Sequence, residues 1–211
     1  DRENGEWKET DSNKLFKGRT VAVFSLPGAF TPTCSSTHLP RFNELAPTFK
    51  QNGVDQVICI SVNDPFVMEE WGKNQECDNV FLLPDGNGAF TEGMGMLVDK
   101  SALNFGKRSW RYSMLVRDGI VEKMFMEPDE PGDPFKVSDA DTLLNYVNKN
   151  AKKPDQIALL TRAGCAFCAK AKTLLNDAGV VYAEIPLPHT IRTRALGAIA
   201  QAKHGPPPSP H

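Results

Sequence analysis

Apolar residues fall into short blocks along this chain, and the spacing inside each block sets the element it predicts. Residues 21 to 26, VAVFSL, form an almost unbroken apolar run between Arg19-Thr20 and Pro27-Gly28, the mark of a strand buried on both faces. Phe42, Leu45 and Phe49 then recur at helical spacing, with Pro40 and Pro47 expected to start, kink or break that helix and Asn52-Gly53 to end it. A second buried strand follows at residues 57 to 62, VICISV, which completes a βαβ unit. Asp64-Pro65 opens a further helix, PFVMEEWGKNQ, and VFLLPDGNG reads as a strand and a turn. WRYSMLVRDGIVEKMFM alternates on either side of Asp118-Gly119, which predicts a hairpin. DADTLLNYVNKN predicts an amphipathic helix capped by Ser138 or Asp139.

The pattern then repeats. After the polar stretch NKNAKKPDQ, IALLT predicts a strand, CAKAKTLLNDAG a helix closed by Gly179, and VVYAEI another strand. The final GPPPSPH suits neither helix nor strand and is expected to be disordered. The order of elements thus predicts an α/β protein in four parts. Residues 1–149 form a first domain, 150–155 a linker, 156–204 a second and partial domain, and 205–211 a tail.

Charge and composition narrow the classes. With 211 residues and a formal net charge of −2, the chain offers no basic field for nucleic acid or anionic lipid. No apolar run approaches the roughly 20 residues of a membrane span. No signal peptide is visible, and the chain opens on Asp1, from which a trimmed N-terminus is expected. Five cysteines, an odd number without regular spacing, argue against a secreted disulfide scaffold and for a reducing, cytoplasmic compartment.

One cysteine stands at a chemically marked place. In FSLPGAFTPTCSSTH, Cys34 follows the strand-to-helix corner and falls in the first helical turn. Unpaired N–H groups and the helix dipole there favour the thiolate, which is the nucleophilic form. Pro27 and Gly28 allow a tight exit from the strand, Pro32 stiffens the loop, and Thr31 offers a hydroxyl to the sulfur or to an oxygen beside it. From position alone, Cys34 reads equally as a small core residue or a reactive thiol. His38, one turn on, reads as a structural residue before a general base, because no orienting Asn or Asp is evident. Arg111 lies on the strand face opposite Trp110, Tyr112 and Met114, where a solvated strand charge is the plain reading. Cys59, inside a strand, reads as core, and Cys77 as exposed.

PGAFTPTCSSTHLP resembles the peroxidatic signature of the peroxiredoxins, P-x-x-x-T-x-x-C, in the form of the type V, atypical subfamily. SVNDPFVMEEW, LLPDGNGAFTEGMGM and GKRSWRYSMLVRDG resemble the same subfamily, so the likeness covers about residues 5 to 149. It implies a thioredoxin-like fold, a mixed sheet flanked by helices. It also implies a catalytic quartet of Pro27, Thr31, Cys34 and Arg111, with His38 as a possible support, and a homodimer or higher homo-oligomer. Arg111 would stabilise the thiolate and the oxyanion that develops as the O–O bond breaks. Members that resolve internally carry a later cysteine; the corresponding EPDEPGDPFKVSDAD has none, which implies a resolving thiol from outside.

TRAGCAFCAKAK sets Cys165 and Cys168 at C-x-x-C spacing on a helix start, a context that favours a redox dithiol over zinc, since no second C-x-x-C completes a metal site. Residues 156 to about 204 resemble a glutaredoxin, although Ala166 stands where that family usually has proline. The family's further loop, strand and Gly-Gly motif are replaced by GPPPSPH, so the segment is expected to be incomplete. The whole resembles peroxiredoxin–glutaredoxin hybrids. The implied function is a thiol peroxidase that reduces hydrogen peroxide and alkyl hydroperoxides through a sulfenic acid. Its reducing co-substrate would be glutathione, with a glutaredoxin domain in cis or in trans, and no tightly bound cofactor or metal. A redox sensor that relays oxidation to a partner is the alternative, and a zinc-binding module a second one.

Overall fold

The computed structural model describes residues 2–3, 6–7, 10–153, 157–161, 166–177 and 182–186. It divides into two compact units, Asp1–Lys153 and Pro154–His211. In the first, β1 (Arg2–Glu3) and β2 (Glu6–Trp7) form a two-residue antiparallel ladder and α1 spans Ser12–Phe16. Then come β3 (Thr20–Ser25), a π-helical turn at Cys34–His38 and α2 (Leu39–Gln51). β4 (Gln56–Ser61), α3 (Pro65–Asn74), β5 (Phe81–Pro84) and α4 (Ala89–Gly93) continue the chain. β6 (Leu97–Asp99) pairs with β7 (Lys107–Ser109), and β8 (Tyr112–Arg117), β9 (Ile120–Met126) and α5 (Ala140–Val147) close the unit.

Five strands make the central sheet in the order β5-β4-β3-β8-β9, parallel from β5 to β3 and antiparallel from β3 to β9. The unbroken apolar runs have their reason here, because β3 and β4 are interior and covered on both faces. Ala22, Phe24, Val57 and Cys59 face α2, α3 and α5 through Phe42, Leu45, Phe49, Trp71, Leu143 and Leu144. Val21, Val23, Ile58 and Ile60 face Leu15 and Phe16 of α1 together with Tyr112, Met114 and Val116. The two-residue period of β8 therefore places Tyr112 and Met114 opposite Leu115, as the sequence predicts.

Both prolines of the first long helix are accommodated without a break. A proline in a helix interior has no N–H to give and crowds the carbonyl four residues back. Ahead of Pro40 the helix widens into the π turn, in which the Leu39 N–H reaches back five residues to the Cys34 carbonyl. At Pro47 the freed carbonyl is that of Asn43, and the Asn79 side-chain amide donates to it at 3.4 Å. Asp139, not Ser138, caps α5, accepting from the Thr142 N–H at 2.9 Å. Arg41 clamps α2 to α5 with a two-pronged contact to Asp141 at 2.7 and 2.9 Å.

In the second unit β10 (Ile157–Thr161) and β11 (Tyr182–Pro186) pair in parallel, and α6 spans Ala166–Asp177, starting two residues ahead of the predicted Cys168. Cys165, the predicted linker's later residues and the Pro-rich tail lie outside the described residues. No helix among the described residues is long and apolar enough to cross a membrane.

The aromatic stack of Phe24 and Phe42, with ring centroids 4.0 Å apart, joins β3 to α2 directly beneath the π turn. Phe42→Ala is expected to cost about 3–5 kcal/mol of unfolding free energy, the range for a fully buried phenylalanine. Urea denaturation checks it, and a loss below about 1 kcal/mol would mean that this stack does not anchor the helix.

Candidate active site

The corner after β3 is held from two sides. Pro27 and Gly28 are buried, and a Cβ on Gly28 would sit 3.3 Å from Nη1 of Arg108 and 3.5 Å from Oδ1 of Asn63. A side chain there would need the Arg108 guanidinium to give by a few tenths of an ångström, while its contact with Asn63 would be ordinary. Oδ1 of Asn63 accepts from the Ala29 N–H at 3.0 Å, and Arg108 is itself fixed by donating to the Val62 carbonyl at 2.9 Å. Phe30 takes a left-handed φ of 60°, a strained choice for an aromatic residue, and half of it is exposed. A depression of about 300 Å³ lies against this loop, lined by Ala29, Phe30, Thr31, Pro32, Phe105 and Arg108.

The helix starts at Pro32, so Cys34 falls in its first turn, as predicted, and opens the π turn. Its side chain is fully buried. The Thr31 hydroxyl does not donate to the sulfur; it donates to the Gly28 carbonyl at 2.8 Å and so ties the loop to the helix start. Beside Cys34, the neighbouring Ser35 hydroxyl accepts from the indole N–H of buried Trp71 at 3.0 Å, which fixes the turn to α3.

Arg111 precedes β8 on the face shared with Leu115 and is buried to 1 % exposure, so it is no solvated strand charge. Four of its N–H donors are engaged. Nη2 donates to Sγ of Cys34 at 3.5 Å and to Oδ2 of Asp133 at 2.5 Å, Nε to Oδ1 of Asp133 at 3.1 Å, and Nη1 to Nδ1 of His38 at 2.9 Å. The Phe135 ring lies under the guanidinium, 5.4 Å from its centre.

His38 is fully buried between Arg111 and the Ser138 carbonyl, which takes its Nε2–H at 3.1 Å. With that proton on Nε2, Nδ1 is a lone-pair acceptor for Arg111. Burial, and then the Arg111 charge, lower its pKa to about 3, against the weaker pull of the Ser138 carbonyl. His38 is therefore neutral at physiological pH. It holds Arg111 and is no base for Cys34.

Sequence reading missed the group that assembles the outer wall. Asp133, Phe135 and Ser138 all sit on the loop between β9 and α5. That loop is pinned by Glu127, whose buried carboxylate accepts from the N–H groups of Lys136, Val137 and Ser138 at 2.8 to 2.9 Å and from the Ser138 hydroxyl at 2.7 Å. Burial pushes the Glu127 carboxyl up, but these donors outweigh it and hold it below the ordinary carboxylate range. The available signal was length: about a dozen residues without an element between a strand and a helix, rich in acidic residues and proline.

Cys59 and Cys77 take no part in the hydrogen bonds around Arg111. Burial pushes Cys59 well above an ordinary thiol, as befits core. Cys77 is not exposed as predicted but half-buried against the core, its Sγ 3.8 Å from the Val80 carbonyl, and burial pushes it up to about 11. It borders a cleft of about 780 Å³ along α3 and β5 that does not include the Cys34 network. Cys168 is half-buried on α6.

The redoxin family model matches residues 3–144. The hybrid peroxiredoxin hyPrx5 of Haemophilus influenzae is 57 % identical over 199 residues, which cover 94 % of this chain and 83 % of that protein. The chain belongs to the peroxiredoxins. It is of the hybrid kind, a redoxin domain joined to a glutaredoxin-like segment. The peroxiredoxin sll1621 of Synechocystis is 59 % identical over 152 residues, 70 % of this chain and 80 % of that one. Among solved structures, reduced Prx3 of Vibrio vulnificus in complex with hydrogen peroxide superposes with a TM-score of 0.60 at 40 % identity, over 64 % of this chain and 82 % of that chain. The 1-Cys peroxiredoxin of Plasmodium falciparum superposes with a TM-score of 0.64 at 37 % identity, over 67 % and 85 %. The peroxiredoxin domain thus has the thioredoxin-like fold its sequence implied, and the protein is a peroxidase.

The state of His38 has a consequence for stability. An unfolded histidine takes a proton below about pH 6.5, whereas the folded one does so only near pH 3. Between those values the unfolded chain holds one proton more, so stability falls as pH falls, by up to ~1.4 kcal/mol per pH unit. Denaturation midpoints measured between pH 7 and pH 4 should show this slope in the parent protein and a shallower one in His38→Gln. Equal slopes would mean that His38 is protonated in the fold.

Proposed function

We propose that Cys34 is the peroxidatic cysteine, that Arg111 is its electrostatic partner, and that glutathione supplies the reducing thiol. The observation that carries the first part is the Arg111 Nη2–H aimed at the Cys34 sulfur at 3.5 Å, in a setting from which solvent is excluded. In the peroxidase step the thiolate sulfur attacks the near oxygen of ROOH. An S–O bond forms, the O–O bond breaks, and the departing RO⁻ takes up a proton, leaving a sulfenic acid and an alcohol or water. An arginine that already donates to the sulfur also stands beside the oxygens in line with it, where charge builds. Pro27 and Thr31 act through shape: one turns the corner, and the other bonds the Gly28 carbonyl and fixes the first turn. The complex with hydrogen peroxide reported for the Vibrio protein supports a small hydroperoxide as substrate.

Recycling follows from which thiols lie within reach. Cys59 is core and Cys77 is half-buried with its thiolate disfavoured, so neither is suited to resolve the sulfenic acid. Glutathione thiol condenses with it instead, releasing water and leaving a Cys34–glutathione mixed disulfide. A glutaredoxin-type thiolate, Cys165 in cis or that of a separate glutaredoxin, then takes the glutathionyl group and frees Cys34, with Cys168 as the second thiol. The hybrid relative, alike over 94 % of this chain, supports that pairing of domains.

Cys34→Ser is expected to abolish peroxide consumption, since an alcohol is not ionised near neutrality, while Cys59→Ser and Cys77→Ser keep most of it. Arg111→Met should slow the peroxide step by about two orders of magnitude or more. Stopped-flow peroxide consumption measures both, and full turnover in either variant would overturn the assignment.

After one equivalent of peroxide with glutathione present, peptide mass analysis should find a single glutathione on the Cys34 peptide. A Cys34–Cys77 disulfide in its place would mean that the chain resolves internally. Stoichiometric oxidation with no turnover, even with an intact glutaredoxin added, would instead favour a sensor that passes oxidation to a partner.

A further inference from the structure

Arg111 is a buried cation beside a nucleophile, and such a site would by itself draw anions. A neutral hydroperoxide gains little from a net charge; what it needs is the directed N–H groups. Asp133 separates these two effects. Its two oxygens accept from Nε and Nη2 of Arg111, so the carboxylate offsets the positive charge while Nη2 still donates to the Cys34 sulfur. Because carboxylate and sulfur share one nitrogen, at 2.5 and 3.5 Å, they stand no more than about 6 Å apart. The Asp133 side chain is 41 % exposed, whereas Arg111 and Cys34 are buried, so the negative charge lies on the solvent side.

The other groups around Arg111 do not share this task. His38 is neutral, Phe135 is apolar, and the Glu127 carboxylate, though ionised, spends its oxygens on four donors of its own loop and none on the guanidinium. Glu127 fixes the loop at residues 136–138, and Asp133, three residues earlier, is held by its own two-pronged contact with Arg111.

We propose that Asp133 sets the charge selectivity of this site, disfavouring anionic oxidants such as carboxylate-bearing hydroperoxides relative to neutral hydroperoxides. The inference rests on Cys34 being the nucleophile. Its test uses two reagents that form the same S–C bond and expel the same iodide but differ in charge, iodoacetate and iodoacetamide.

In the full chain at pH 7, alkylation of the Cys34 peptide is followed by mass analysis with each reagent. Asp133→Asn and Asp133→Ser are expected to raise the iodoacetate-to-iodoacetamide rate ratio by roughly three- to tenfold. That is the effect of one charge about 6 Å away at an effective dielectric of about 40 to 80. The rate ratio for a carboxylate-bearing hydroperoxide over tert-butyl hydroperoxide should rise alongside. A purely structural role for Asp133 would slow both reagents equally, and an unmoved ratio in both variants would overturn the proposal while leaving Cys34 in place. If neither reagent alkylates Cys34 in the parent chain and peroxide consumption survives Cys34→Ser, the nucleophile itself is misassigned, and the selectivity assignment falls with it.

Discussion

A guanidinium buried to 1 % exposure has to be compensated, and the site is organised around that demand. An uncompensated buried cation is among the costliest things a fold can contain. Arg111 meets the cost with one carboxylate in two-pronged contact, one imidazole lone pair, one aromatic face and one sulfur. The partners come from two distant segments: the π turn gives Cys34 and His38, and the β9–α5 loop gives Asp133 and Phe135. Removing any partner leaves a donor exposed to a low-dielectric setting, where hydrogen bonds are strong and missing ones costly. Burial first, and then the Arg111 charge, keep His38 neutral, so no second positive charge stands at 2.9 Å to undo the compensation.

Much of the frame was legible because it follows local rules. Unbroken apolar runs marked β3 and β4 as interior strands, two-residue alternation placed Arg111 opposite Tyr112 and Met114, and Asp118-Gly119 marked the hairpin. The corner at Pro27-Gly28 and the first-turn position of Cys34 were also readable. What could not be read depended on contacts between distant segments. Bonds from His38 to Arg111 and Ser138 span 73 and 100 residues, and no pattern in the chain announces them. Alone, His38 and Arg111 each had a plain reading as a helix-face residue and a strand charge; only their meeting makes them a unit. Thr31 shows the converse, a hydroxyl whose type suggested the sulfur and whose geometry gives it to a carbonyl three residues away. Cys77 differed from its predicted exposure because the chain after α3 turns back onto the core, which local polarity in NQECDNV conceals.

The π turn connects frame to site. A regular helix would meet Pro40 with a clash and a missing bond, whereas the five-residue return from Leu39 to Cys34 absorbs both within the turn that carries the sulfur. His38 and Cys34 stand at the two ends of that turn, and both reach Arg111. Trp71, through Ser35, and the Phe24–Phe42 stack hold the turn from two sides.

The Glu127 anchorage divides the site into two parts under different constraints. Cys34 and Arg111 belong to the sheet and the helix that packs on it, where a substitution disturbs the core. Asp133 and Phe135, which contact Arg111 from the other side, ride on a loop gathered around a single carboxylate, most of it outside the core. Substitutions at the exposed positions of that loop leave the sheet and its helices untouched, whereas Asp133 and Phe135 are tied to Arg111. If Cys34 and Asp133 act as proposed, the chemistry of the sulfur is inherited with the fold, and its preference among oxidants is set by a different, more peripheral segment.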